Sequence, residues 1–342
     1  MSRRGVVRCA IAAVLFGISA PAASRLAGDM SAFTLAGLLY LGAALAVLPW
    51  AGAHRPSRPE LRRAVPRLAV AVVVGGAVAP VLLALGLRSA PAATVSLLLN
   101  LEVVFTAVLA VALFREHLGG RVIAGTSLVV VAGGVLAWSS DAELRTGALF
   151  VAGACLCWAL DNNVTAKLDE LAPVHITLAK GVVAGGVNLL IGLALGGWPS
   201  GWRILAALVV GAVGYGASIT LWVTGARDLG AARGQLVFAT APFVGAAVAW
   251  TVFSEPVTTR QVVSMALAFG GVAFVLRSDH EHRHLHDDRD HDHEHDHTDD
   301  HHDHGHDGEV VMGRHQHPHH HDRRTHSHAH VPDVHHRHRH VR

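Results

Sequence analysis

Apolar residues in this chain run in long blocks, and the polar residues fall in short gaps between them. A helix rising about 1.5 Å per residue needs about 20 mostly apolar residues to cross the hydrocarbon core of a bilayer. Ten stretches meet that requirement: residues 6–24, 32–50, 68–87, 92–114 and 122–138 in the first half, then 147–166, 176–195, 204–225, 235–253 and 260–276. The fifth and tenth are barely long enough. The pattern therefore predicts an all-α membrane protein with ten transmembrane helices. After residue 277 the pattern stops: histidine alternates with aspartate and glutamate, and nothing remains that could form a core.

The blocks repeat. Residues 88–121 and 227–260 align at a constant offset of 139, which pairs Arg88 with Arg227, Ala92 and Ala93 with Ala231 and Ala232, and Glu116 with Glu255. Duplicated hydrophobic units are a sequence sign of secondary transporters. The chain divides accordingly into a first five-helix repeat (1–138), a second (139–277) and a tail without secondary structure of its own (278–342).

Loop charges orient the repeats. If the N-terminus is cytoplasmic, that side holds Arg3, Arg4, Arg8, Arg55, Arg58, Arg62, Arg63, Arg67, Arg115, Arg121, Lys167, Arg227, Arg233 and Arg277. The other side holds only Arg25, Arg88, Arg145, Arg203 and Arg260. Both termini are thus expected in the cytoplasm, at an inner (cell) membrane. Five helices per repeat is odd, so the second repeat enters with inverted topology. The basic, apolar N-terminus resembles a signal peptide, but no small-residue cleavage site leads into a soluble domain, and it reads as a retained first helix.

Composition sharpens this division. The averages of 51% hydrophobic and 16% charged hide two polymers: residues 1–277 are too apolar for a water-soluble protein of their size, and 278–342 cannot build a core. Of the 27 histidines, only His54, His117 and His175 precede the tail. Cys9, Cys155 and Cys157 lie in apolar stretches and read as small buried hydrophobes, with Cys155-x-Cys157 as a soft-metal pair the other reading. No nucleophile, phosphate-binding loop or catalytic histidine set appears, which argues against an enzyme, and nothing suggests a nucleic-acid partner.

The repeat has a recognisable wording. Residues 96–136, "SLLLNLEVVFTAVLAVALFREHLGGRVIAGTSLVVVAGGVL", resemble the repeat-closing segment of the EamA-type transporters of the drug/metabolite transporter superfamily. Residues 238–276 show the Pro242 and Glu255 version of the same pattern. The resemblance implies a carrier moving a small organic solute through the bilayer by alternating access, with no cofactor required. Many members place a cationic residue early in the second and seventh helices. Here Thr34-Leu35-Ala36 aligns with Thr177-Leu178-Ala179, so Gly37 stands opposite Lys180 and only the second copy is charged.

Ionisable groups inside a span cost roughly 2.5–3.5 kcal/mol on insertion scales and point to function. Glu102 is a candidate cavity-lining or proton-carrying carboxyl; the alternative is a structural glutamate tied to a neighbouring helix. Asn100 lies two residues earlier, about 200° away on a regular helix. Asp161 and Lys180 lie at similar depth and either pair as a structural lock or form part of a site; Lys180 could also snorkel. Tyr215 and Gln235 are further candidates, with Ser19, Pro21, Ser218, Trp222 and Thr240 behind them.

The tail offers dense imidazole and carboxylate ligands, with His291, His293, His295, His297, His301, His302, His304 and His306 at its centre. Neutral imidazole suits zinc, nickel, cobalt and copper. Three readings follow: a metal buffer or sensor on a metabolite carrier, metal delivery to a divalent-cation (Ni, Co or Zn) transporter, or an inert extension.

Overall fold

The computed structural model describes residues 3–52, 56–114, 120–138, 141–165, 168, 171–229, 234 and 237–276, and four tail segments, 280–285, 289–295, 315–321 and 325–330. The chain forms two compact units, Met1–Ser278 and Asp279–Arg342.

The first unit is helical. Eight helices among the described residues are long and apolar enough to cross a membrane: α1 (Arg3–Ala27), α2 (Ala32–Trp50), α3 (Arg58–Ser89), α4 (Ala92–Leu109), α5 (Gly120–Ala137), α6 (Ala142–Thr165), α7 (Pro173–Gly196) and α8 (Gly201–Gly225). Two more, α9 (Ala241–Thr251) and α10 (Thr259–Leu276), occupy the ninth and tenth expected stretches. Eight, not ten, are thus long and apolar enough among the described residues, and α9 falls short at only 11 residues. Large apolar side chains face outward: Leu190 is 70% exposed and Leu149 73%. In water such a surface would aggregate; in lipid it is the solvated face.

Local sequence sets the helix ends. Ser57 and Glu60 form a capping box that starts α3 ten residues before the expected position, Leu68, so a basic first turn precedes the apolar run. Ser31 caps α2 by accepting the Thr34 amide at 3.0 Å. Gly197 closes α7 with φ +72°, a left-handed conformation that glycine adopts without a Cβ penalty. Helix α4 is not continuous as expected: it breaks at Leu99–Asn100 and resumes at Leu101. A matching turn at Ala239–Thr240 precedes α9, and Pro242 explains why the chain cannot run straight through there.

The packing set maps onto itself when the halves are exchanged. Helix α2 packs on α7, α4 on α9 and α5 on α10, while α3 against α6 is matched by α8 against α1. Close approach depends on glycine: a Cβ on Gly37 would lie 2.8 Å from the Gly185 carbonyl oxygen across the α2–α7 contact. With no hydrophobic gain between helices in lipid, such small-residue contacts let backbones approach and give dispersion contacts.

Three helices contain π-helical turns, where an amide reaches back five residues. The Ala79 amide bonds the Val74 carbonyl in α3, and the Ser218 amide bonds the Val213 carbonyl in α8. Both pairs stand at the 139-residue offset. The third turn, Gly185 to Lys180 in α7, has no counterpart in α2.

In the second unit the expectation of a tail without secondary structure is corrected. Strand β1 (His280–Leu285) pairs antiparallel with β4 (Thr325–His330), and β2 (Arg289–His295) with β3 (His315–His321). Backbone pairing requires no apolar face, and an alternating polar strand supplies none.

Candidate functional site

The interrupted helices α4 and α9 and the π-turn of α3 bring polar groups together in the interior of the first unit. In a π-turn some carbonyls lose their regular amide partner and take side-chain donors instead. Gly75 shows this: its carbonyl accepts the Tyr40 hydroxyl at 2.8 Å and the Trp158 indole N–H at 3.1 Å. Two residues on, the Ala77 carbonyl accepts the Asn188 amide at 3.0 Å. Tyr40 lies on α2, Trp158 on α6 and Asn188 on α7, so one irregular turn ties three helices.

Trp158, Asp161 and Asn162 follow at helical spacing on α6 and share one face. Asp161 is buried and ion-pairs with Lys180, and its other oxygen accepts the Thr165 hydroxyl at 3.1 Å. Its carboxylate presses on the backbone of Gly75, where any Cβ would collide with it. Lys180 opens the π-turn of α7 and packs over Gly76, whose own Cβ position would lie 3.3 Å from that of Lys180. The Asp161–Lys180 pair therefore depends on Gly75 and Gly76 of α3.

Glu102 lies in the first turn of the second segment of α4 and is partly exposed, and its Oε1 accepts the Asn162 amide at 2.7 Å. Asp161, Lys180, Tyr40 and Tyr215 all lie within electrostatic range of it. Of the charged side chains Glu102, Asp161 and Lys180, the last two neutralise each other, which leaves Glu102 as the unmatched charge. Asn100 does not join them: its amide turns back to the Leu97 carbonyl at 2.9 Å and closes the break. A turn, not a regular helix, precedes Glu102 at Leu99–Asn100.

The other wall is aromatic. Tyr215, in the π-turn of α8, lies edge-on to Phe16 with centroids 5.7 Å apart and tilted to Tyr40 at 5.8 Å. Phe238 continues the row at 5.3 Å from Phe16 and 5.9 Å from Trp222. Of the lesser candidates, Ser19 and Ser218 donate to the Phe16 and Ala12 carbonyls of α1, and Thr240 donates to Val237. Gln235, His297, His301, His302, His304 and His306 lie outside the described residues. His291, His293 and His295 fall on β2. Among the described residues no three His, Cys, Asp or Glu side chains gather into a metal-holding group.

The packing of α6 on α3 recurs in α1 on α8. A Cβ on Gly75 meets Asp161 where one on Gly214 meets Ser19, and Gly86 meets Val151 where Gly225 meets Cys9. This places Ser19 opposite Asp161, Phe16 opposite Trp158 and, through the 139 offset, Ala241 opposite Glu102 and Gly76 opposite Tyr215. The site is built where the copies differ.

A search of protein families matches the EamA-like transporter family twice, over residues 3–138 and 145–277. The chain belongs to this family. The EamA-like chain is 27% identical over 296 residues to an "Uncharacterized transporter" of Methanothermobacter thermautotrophicus, covering 80% of this chain and 85% of that one. Its fold is similar to that of a solved crystal structure at 18% identity, with a TM-score of 0.57 over 79% of this chain and 94% of the other. It is accordingly a multi-pass membrane protein and a transporter. Of the residues the sequence singles out, the structure brings Glu102, Asp161, Lys180 and Tyr215 into one region; Tyr40, Trp158 and Gly75, which lie beside them, are not singled out by the sequence. The signal for these was the small-residue pair Gly75-Gly76 inside an otherwise β-branched run.

Proposed function

We propose that this EamA-like chain exports a small organic solute by alternating access between its two repeats, coupled to protons through Glu102. The observation that carries this reading is the unmatched Glu102–Asn162 pair beside the neutralised Asp161–Lys180 pair. A carboxyl held by one amide and open on its other oxygen has room for either a proton or a donor group of a solute. The aromatic wall of Phe16, Tyr40 and Tyr215 suits an apolar body, and a protonated amine near those rings gains from cation–π attraction. Two broken helices facing one region are where such carriers place their substrate. In this reading the chain lies in the inner (cell) membrane with both termini cytoplasmic, an orientation that the Lys/Arg bias of the loops supports.

The test is transport in inverted vesicles over a panel of amines, amino acids and neutral metabolites, with and without an imposed pH gradient. Glu102→Gln keeps the hydrogen bond to Asn162 but cannot titrate. The expected result is that accumulation no longer responds to the gradient while solute exchange persists. Gradient-driven accumulation that survives in Glu102→Gln defeats the coupling role.

The tail we assign to binding divalent metal (Zn, Ni, Co or Cu) beside the carrier. The support is its ligand density together with the register of its strands, in which His291, His293 and His295 pair with His319, His317 and His315.

A further inference from the structure

Helix α4 starts where α9 turns into α10, and this junction is held far more tightly than a loop requires. The Glu255 carboxylate accepts the Ala92 amide on one oxygen and the Ala93 amide on the other, each at 2.9 Å. It thus caps from a distance the first turn of α4, where orphan amides and the helix dipole favour an anion. The preceding residue, Ser254, is held at φ +56°, a conformation that a residue with a Cβ keeps only when its surroundings fix it. Arg25, at the end of α1, donates to the Phe253 carbonyl at 2.8 Å and stacks over the Phe253 ring at 4.7 Å. Gln261 is buried; it accepts the Thr258 amide and the Trp250 indole and donates to Thr94 on α4 at 3.0 Å. Arg25 from α1, Gln261 from α10 and the capped first turn of α4 thus converge on the turn that carries Glu255.

We propose that Glu255 is a gating residue: its grip on the first turn of α4 closes the Ala92 end of the solute path, and release of that grip opens it. The inference rests on the alternating-access reading above. The segment Glu255 holds, Ala92–Leu98, is separated from the rest of α4 by the break at Leu99–Asn100. That break gives the segment a hinge directly before Glu102. A carboxylate on two backbone amides is a strong contact that geometry can break without leaving a fixed partner side chain unpaired, because amides at a helix start can turn to water.

Cys155 reports on the gate without any known solute. It is fully buried beneath the segment, with Sγ 3.7 and 3.9 Å from the Leu98 and Leu99 carbonyl oxygens. In a chain with Cys9 and Cys157 replaced by serine, a membrane-impermeant maleimide is applied to each face in turn, and Cys155 modification is measured by peptide mass spectrometry. Glu255→Gln is expected to raise modification from the Ala92 face about tenfold, the scale of a lost charge-assisted cap. A second chain carrying Ala92→Cys and Glu255→Cys should lose modification from that face when oxidised and regain it on reduction. Should Glu255→Gln fail to fold, this disulfide lock decides alone. Modification that the lock leaves unchanged makes Glu255 a static cap and overturns the proposal, while modification alternating between faces would still stand for the transporter reading. No modification from either face in any chain overturns both.

Discussion

At Gly75 the absence of a side chain decides what three other residues can do. The Asp161 carboxylate occupies the space of the missing Cβ, and the freed carbonyl takes the Tyr40 and Trp158 donors. Gly75→Ala is therefore expected to displace Asp161 from Lys180 and to abolish transport while α3 itself still forms. The ion pair makes a separate prediction. Both side chains are largely buried, at 14% and 6% exposure, so removing one leaves an uncompensated charge. Lys180→Met should lower stability by roughly 3–5 kcal/mol, and Asp161→Leu added to it should recover most of that loss. Thermal unfolding of the three variants in one detergent gives the coupling; equal melting temperatures for Lys180→Met and wild type would show that the pair contributes nothing. Glu102, Asp161 and Lys180 were legible in the sequence because a charge inside an apolar run is conspicuous. Tyr40 and Trp158 were not, since an aromatic residue in a span reads as packing until its donor is seen to have a partner.

At the scale of elements, hydropathy located the helices but not their irregularities. A window average registers that residues 92–114 are apolar; it is blind to a two-residue turn at Leu99–Asn100, where a single polar side chain barely moves the mean. The π-turns are hidden for the same reason. The repeat offset carries information that hydropathy lacks, because it relates the Val74–Ala79 turn to the Val213–Ser218 turn residue by residue. The same offset relates Glu255, Ala92 and Ala93 to Glu116, Ala231 and Ala232. Those three lie outside the described residues, so the relation is one of sequence alone. It predicts that Glu116→Gln raises Cys155 labelling from the face opposite to the one that Glu255→Gln affects. Labelling raised from the same face by both variants would break the symmetry argument. Gln261 gives an element-scale stability test. Gln261→Leu leaves the Trp250 indole and the Thr258 amide without their acceptor, and is expected to destabilise by about 1–3 kcal/mol.

For the whole molecule, the two units obey different physics, and this allows their roles to be separated. The first unit presents apolar surface to lipid and is held by close backbone contacts and satisfied polar groups. The strands of the second are rich in histidine and poor in apolar residues, and they pair through their backbones. In register, His280, His282 and His284 stand opposite His330, His328 and His326, so the backbone brings histidine positions of two strands together. Removing residues 278–342 should therefore leave the melting temperature of the helical unit and its solute transport unchanged and abolish most zinc or nickel binding measured by equilibrium dialysis on the full chain. Histidine protonation competes with metal, so binding by the full chain should fall as pH drops through the ordinary histidine range near 6.5. If the truncated chain binds as much metal as the full one, the ligands lie among the helices, and the divalent-cation reading of the carrier replaces the organic-solute reading. If truncation removes the metal and transport of the organic solute persists, the tail acts on metal beside the carrier and the charge in its interior belongs to the solute and the proton.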